Sequence, residues 1–441
     1  ESKIESEYIR RFLGQLTQLE ESRFCELKYG LQAHHKGKLP NDAHLLRFLR
    51  AREFDVPKAK EMLITSLLWR KQHNVDQILH EWKWPNVVKQ FFPGAWHHHD
   101  KDNRPLYVLR LGLLDMKGLL RSIGLQNVIK LCLSTCEEGL NRAEDATKAL
   151  GVPISTWSAL VDLDGLSMRH LWRPGVQALL KIIEIVEAHY PETMGQVLVV
   201  RAPRVFPVLW TLVSPFIDEK TRNKFIICGS ENLKEDIMKF IDEQYIPDFL
   251  DGSCLTDCGN GGHIPKSLYI PVEEQRDEEE DGLSSMYTTA SFVKGCPIEA
   301  IVNVSSPGCV LTWDFDVLKS DCEFTVYHTP KVNADPNAVL GVDLSIAEKP
   351  QVFNEGDSMQ GTHFCSKEGS YILQWKVPDS VVSSSTTFDF SSHRGKVMYY
   401  HEMINSADFR GSVASLESCR SSFSSMALAN SHPSTPASIP K

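Results

Sequence analysis

His97, His98 and His99 stand in succession, and three imidazoles would suit a metal ion. Neighbouring residues of an extended segment project to opposite faces, however, so three in a row cannot readily converge on one point. The turn-forming run DKDNRP follows them, and a solvated hairpin arm is the expectation. Cys254, Cys258 and His263 resemble a partial zinc set, but the spacing is not C-x-x-C and no fourth ligand is evident, so a structural loop is expected there. Asp162 and Asp164 could pair as carboxylates facing a cleft. Their place in DLDG, at the close of a strand, favours a cap instead. The glycines of CGNGGHIP lack the Lys-Ser/Thr sequel of a phosphate loop. No G-x-S-x-G elbow, Walker loop or strand followed by G-x-G-x-x-G occurs. The chain reads as non-enzymatic, with no catalytic residue, no metal ligand and no cofactor.

The stretch from His189 to Gly229 is more informative. It contains an apolar helix, Val205 to Phe216, between two strands. Val205, Val208, Leu209, Leu212 and Phe216 form one stripe, while Phe206, Trp210 and Val213 occupy the rest of the circumference. A helix that is apolar all round is buried on every side or touches something oily. Pro203 and Pro215 are stops near its ends.

These residues require a scaffold, and the chain divides by pattern. Residues 1–89 are helical: Ile4, Tyr8, Phe12, Leu16, Leu19 and Leu27 recur at helical spacing, Asp42 is placed to cap AHLLRFLRAR, and Ala59, Met62, Leu63, Leu67 and Trp69 mark a third helix over Val56 to Gln72. Residues 90–265 alternate short apolar strands (PLYVLRLGLL, ALVDLDG, QVLVVRAP, KFIICG) with helices over Gly118 to Lys148 and Pro174 to Ala188, the order of an α/β layer with mainly parallel strands. Residues 266–285 form an acidic linker. Residues 286–402 change to a period of two, as in Leu311, Trp313, Phe315 and Val317, in Cys322, Phe324 and Val326, and in Tyr371, Leu373, Trp375 and Val377, which predicts a β-sandwich. Residues 403–441 are Ser-rich and too poor in large apolar groups to order themselves. The fold class is therefore multidomain: helical subdomain, α/β domain, all-β sandwich.

At 441 residues the chain needs more than one core, and 42% apolar with 24% charged residues is ordinary for a globular protein. No apolar run reaches the length of a membrane-crossing helix. The 47 basic residues against 57 acidic ones give −10, which argues against a nucleic-acid surface. Glu273 to Asp281 alone supply −6 of it. Eleven scattered cysteines, an odd number, and a charged N-terminal segment fit a reducing, cytoplasmic setting. The chain begins at Glu1, as a fragment of something longer would.

LLRFLRAREFDVPKAKEML with WRK, then DKDNRPLYV, HYPETMGQVLVVRAP, PFIDEKTRNKFIICG and YIPDFLDG, resemble the Sec-fourteen-like branch of the CRAL-TRIO lipid-binding proteins over residues 5 to 265. The β segment is similar to a GOLD domain, and the subgroup combining the two includes members with an N-terminal PRELI-like domain, absent here. The resemblance implies a pocket for one phospholipid or other hydrophobe, gated by the helix carrying Val205, Phe206, Val208, Leu209, Leu212, Val213 and Phe216. It further implies transient membrane contact, and protein partners recruited by the sandwich at Golgi or other secretory membranes. Family members that bind phosphatidylinositol use an Arg of LRAR, the Glu of YPE, and a Thr and Lys before the last strand; here these are Arg52, Glu192, Thr221 and Lys224. Cations there would neutralise a phosphodiester, Glu192 would accept from inositol hydroxyls and Thr221 would donate. Thr193 stands where some such binders have a basic residue, and FLDG replaces a Gly-Gly ending. Relatives that favour isoprenoid-like hydrophobes share much of the pattern, which leaves an adaptor with lipid as a regulatory ligand as the alternative.

Overall fold

A computed structural model describes residues 6–32, 39–167, 170, 172–203, 206–229, 232–270, 287–331, 343–378 and 394–404. Most of the acidic linker, nearly all of the Ser-rich tail and Val205 lie outside the described residues. The chain divides into two compact units, the second comprising Glu273–Ser418 together with Met168–Pro174.

In the first unit a short helical segment, residues 6–13, precedes the helices α1 (Gln18–Gln32), α2 (Asp42–Ala51) and α3 (Val56–Gln72); the helical spacing read from Ile4 to Leu27 is thus interrupted at 14–17, and Tyr8 and Leu19 are exposed. Phe24, Leu27, Leu31, Leu45, Phe48, Leu49 and Leu63 bury one face of each into a shared core. The N-cap of α2 is Asn41, whose side chain accepts from the His44 amide at 2.9 Å, and not Asp42 as expected. Asp42 is instead the first helical residue and receives Tyr8 and Lys28. Both residues suit a cap chemically; the side chain one position earlier takes the helix-start geometry. Asp55 caps α3 through the Lys58 amide, with Pro57 in its first turn.

The sheet has the order β1 (Gly94–His99), β2 (Pro105–Leu109), β3 (Trp157–Asp162), β4 (Met194–Val200) and β5 (Phe225–Ile227). β1 and β2 form an antiparallel hairpin; β2 to β5 are parallel. The crossovers are α4 (Met116–Leu150, broken at Gly124, φ 74°), α5 (Arg173–His189), and then α6 (Phe206–Val213) with the single turn α7 (Glu219–Arg222). A sheet whose strands add in sequence through right-handed crossovers carries them on one face. The other face, Leu106, Val108, Leu160, Leu198 and Val200, packs under α8 (Leu233–Met238) and the chain beyond it through Ile237, Ile241, Ile246 and Leu250. On the crossover face Trp157 meets α4 at Gly139, and Trp210 of α6 lies 4.7 Å from Phe225. Leu109, Val161, Phe225 and Ile227 on that face are only half-buried.

Among the described residues, the second unit contains two four-stranded sheets in which every pairing is antiparallel. One runs β10 (Ser345–Phe353), β9 (Cys322–Thr329), β12 (Gly369–Lys376), β7 (Ile298–Val304); the other runs β11 (Ser358–Cys365), β8 (Cys309–Lys319), β13 (Arg394–Ile404), β6 (Thr288–Val293). The alternating residues read from the sequence point inward together, with Leu311, Phe315, Val326, Leu373 and Trp375 sealed from solvent. Asp314, expected on the wet side of β8, is 1% exposed. It accepts from the Tyr287 hydroxyl, which in turn accepts from Trp172 Nε1 at 2.8 Å.

Among the described residues no helix is long and apolar enough to cross a membrane, and ten cysteines are unpaired thiols.

Candidate functional site

A cleft of about 310 Å³ lies where the α2–α3 turn, the end of α5 and α7 approach one another. Arg52 stands at the C-terminus of α2, followed by Glu53 and Phe54 with φ of 51° and 60°; this left-handed pair reverses the chain and leaves Arg52 and Glu53 outermost. Glu192 also has a positive φ, 55°, at the turn between α5 and β4. That turn is fixed at both sides, because the Thr193 hydroxyl donates to the Tyr190 carbonyl at 2.8 Å and the Tyr190 hydroxyl donates to Glu137 at 2.7 Å. Thr221 belongs to α7, which Asp218 caps through the Lys220 amide. The Lys224 amide closes on the Thr221 carbonyl at 3.0 Å, and its own carbonyl pairs with Val197 of β4.

Arg52, Glu192 and Thr221 line the cleft, and Lys224 reaches it through an ion pair with Glu192 at 3.5 Å. The four residues carried over from the motifs are thus brought together from three separate segments. Sequence reasoning missed Lys58, Glu187, Asp218 and Lys220, which share the lining. The charged run Asp218 to Thr221 was the available signal for two of them; nothing in the helical pattern of α5 singled out Glu187. Burial pushes the Glu187 carboxyl above the ordinary carboxylate value; hydrogen bonds from the Asp218 backbone and Thr221, and the Lys224 charge, pull the other way. Arg50, half-buried, is held down by desolvation and supported by the Glu192 carboxylate. Cations and carboxylates therefore alternate around one opening. Such a lining suits a ligand that presents an anion and several hydroxyls at once.

α6 leads directly toward this cleft. Its eight residues, FPVLWTLV, carry no charge. Phe206, Leu209 and Val213 are buried, and a 3₁₀ turn, Ser214–Phe216, follows and leaves Phe216 53% exposed. The expected single helix from Val205 to Phe216 is thus an α-helix and a 3₁₀ turn, the change falling where Pro215 removes an amide donor. Val208 and Leu212 lie on α6 as expected. A larger cleft of about 600 Å³ opens among α3, α4 and α5 around Trp69, Trp82 and Ile185, but none of the four motif residues lines it.

Asp162 accepts from Arg201 Nε at 2.9 Å and from the Asp164 amide at 3.0 Å, so the two carboxylates serve the strand end. His263 lies beside Asp115, away from Cys254, and the DKDNRP turn is pinned by Asp100, which receives the Ser158 hydroxyl at 2.7 Å. His97 is buried, so the hairpin arm is not solvated throughout.

The CRAL/TRIO domain model matches residues 90–252 and the CRAL/TRIO N-terminal domain model residues 11–65. The chain is 60% identical to CRAL-TRIO domain-containing protein T23G5.2 of Caenorhabditis elegans, over 95% of this chain and 64% of that protein. It is 45% identical to Protein real-time of Aedes aegypti, over 95% and 66%. With Protein real-time of Drosophila melanogaster it shares 39% identity over 96% of this chain and 68% of that protein. The chain belongs to the CRAL-TRIO family. CRAL-TRIO proteins are lipid-binding and generally non-enzymatic. The chain spans less than two thirds of the Caenorhabditis and Aedes relatives' own length. Within the CRAL-TRIO match fall Glu192, Thr221, Lys224 and α6, while Arg52 falls within the N-terminal match.

Proposed function

We propose that this protein binds a phospholipid, phosphatidylinositol, and transfers or presents it at membranes without breaking a bond. One observation carries the reading: Arg52, Glu192, Thr221 and Lys224 converge on a single polar cleft next to the uncharged helix α6. The phosphodiester would meet Arg52 and Lys224, the inositol hydroxyls would meet Glu192 and Thr221, and the acyl chains would run along the half-buried apolar side chains of the crossover face. α6 is the gate. Its inner face is buried when closed, and its lack of charge lets it lie against a membrane when open. The all-β unit acts as a GOLD domain that brings protein partners to secretory membranes, with the Golgi as the first place to look.

The test is native mass spectrometry with lipid extraction after exposure to mixed cellular lipids, on the parent chain and on Thr221→Ala with Lys224→Ala. About one phosphatidylinositol per parent chain, falling at least tenfold in the double variant at equal folding, is expected. A neutral hydrophobe retained equally by both would remove the headgroup role. A chain without lipid would leave an adaptor.

A further inference from the structure

The run of three histidines is where local backbone geometry departs most from what alternation requires. β1 does not keep register to its end: between Trp96 and His99 the pairing with β2 shifts, and His98 adopts φ 42°. A bulge of this kind re-aims a side chain, and a left-handed non-glycine residue persists only where its surroundings hold it there. The outcome is convergence. A ring nitrogen of His97, a ring nitrogen of His98 and the sulfur of Cys254 all lie within 4.8 Å of one another.

We propose that His97, His98 and Cys254 form a binding site for a borderline-to-soft transition-metal ion, with Zn²⁺ as the reference occupant. Zinc bonds of about 2.0–2.1 Å to nitrogen and 2.3 Å to sulfur, at a tetrahedral angle, place nitrogen and sulfur about 3.5 Å apart. His98 Nε2 and Cys254 Sγ are 3.3 Å apart. One imidazole pair and one thiolate is a donor set that zinc and its neighbours prefer over magnesium or calcium, and three protein ligands leave a fourth position for water or a partner's donor.

The supporting groups are also present. His97 Nε2 lies 2.8 Å from the Tyr245 carbonyl; donating there fixes the tautomer and leaves the lone pair on Nδ1. The His98 ring stacks on Tyr245 at 4.5 Å and 18°, which sets its plane. Cys254 is held by its amide on the Ile246 carbonyl and by its carbonyl on the Asp248 amide. His99 turns to the Asp100 carbonyl and takes no part. His98 is exposed and Cys254 half-buried, so an ion has a route in and the thiol proton a route to solvent when the sulfur binds as thiolate. Occupancy would tie the edge strand β1 to the chain that closes the opposite face of the sheet.

The experiment titrates the full chain with Co²⁺ in a phosphine reductant, reading the sulfur-to-cobalt charge-transfer band, and measures Zn²⁺ affinity by competition. Expected are one tetrahedral cobalt per chain, and zinc binding at least about a hundredfold weaker in Cys254→Ser and in His98→Ala, with Cys258→Ser unchanged. His98→Ala trims an exposed ring and carries the test if Cys254→Ser fails to fold. No sulfur–cobalt band in the parent protein, a band kept in either folded variant, or a band that depends on Cys258 instead would overturn the site.

Discussion

The turn that carries Glu192 hangs on a buried charge network, and breaking it gives the sharpest test of how the site is held. Glu137 of α4 receives Arg70 at 2.7 and 3.0 Å and the Tyr190 hydroxyl at 2.7 Å. The Arg70 and Glu137 side chains are 10% and 15% exposed, whereas Asp76, the other partner of Arg70, is 67% exposed. Glu137→Leu leaves Arg70 buried with only a solvent-weakened partner, and Arg70→Leu leaves the carboxylate with the Tyr190 hydroxyl and the charge of buried Arg47. Removing one member of such a pair costs about 3–5 kcal/mol. Replacing both members removes both orphaned charges; what remains is the loss of an acceptor for the Tyr190 hydroxyl, about 1–3 kcal/mol, and of the carboxylate that supports buried Arg47, which Glu137→Leu alone also loses. The double variant should therefore be less destabilised than the sum of the singles by about 3 kcal/mol or more. The assay is urea unfolding of the full chain read by pulsed hydrogen exchange, peptide by peptide, so that α3 and α4 are followed separately from β8 and β12, which serve as an internal control. Single variants that each cost under about 1 kcal/mol, or a double variant equal to their sum, would refute the coupling.

Stability should also carry a histidine signature in mild acid. Burial, with the His73 and Arg70 charges, pushes His189 down to about 4, and burial also holds His44 well below its usual value. Between pH 6.5 and 4 the unfolded chain then binds protons that the folded chain does not, so stability is fully present above 6.5 and falls as pH is lowered through that window. His189→Phe, which keeps a ring against Trp69, is expected to flatten the slope in denaturant melts across it; an unchanged slope would assign the effect elsewhere. At the gate, Phe216→Asp changes an exposed side chain, so stability should shift within about 0.5 kcal/mol while vesicle-to-vesicle transfer falls severalfold. Transfer equal to the parent would remove Phe216 from the membrane-contacting surface.

How much of this was legible in the sequence depends on the range of the interaction that decides each feature. The sandwich was readable because one inward face at period two fixes Leu311, Trp313, Phe315 and Val317 at once. Asp314 was not, since its burial depends on Tyr287 and Trp172, distant in sequence and invisible to alternation. The strands of the sheet were readable as apolar runs, yet the bulge that turns His98 is a backbone event of one residue. Arg52, Glu192, Thr221 and Lys224 could be named only from motif resemblance, because no local spacing joins α2 to α7. Lys58 and Glu187 belong to the same cleft and lacked even that signal.

The strand order of the first unit has a consequence for how the molecule yields. Each strand is laid against the one before it, so the last to join, β5, is an edge of only three residues and its connection to β4 contains α6 and α7. Swinging that connection outward breaks no interior pairing and leaves β1 to β4 a complete platform. The least anchored margin of the sheet is thus also the margin that carries both the apolar helix and two of the polar residues beside it. A local excursion there, far cheaper than global unfolding, would expose an apolar surface and a charged cleft in a single movement.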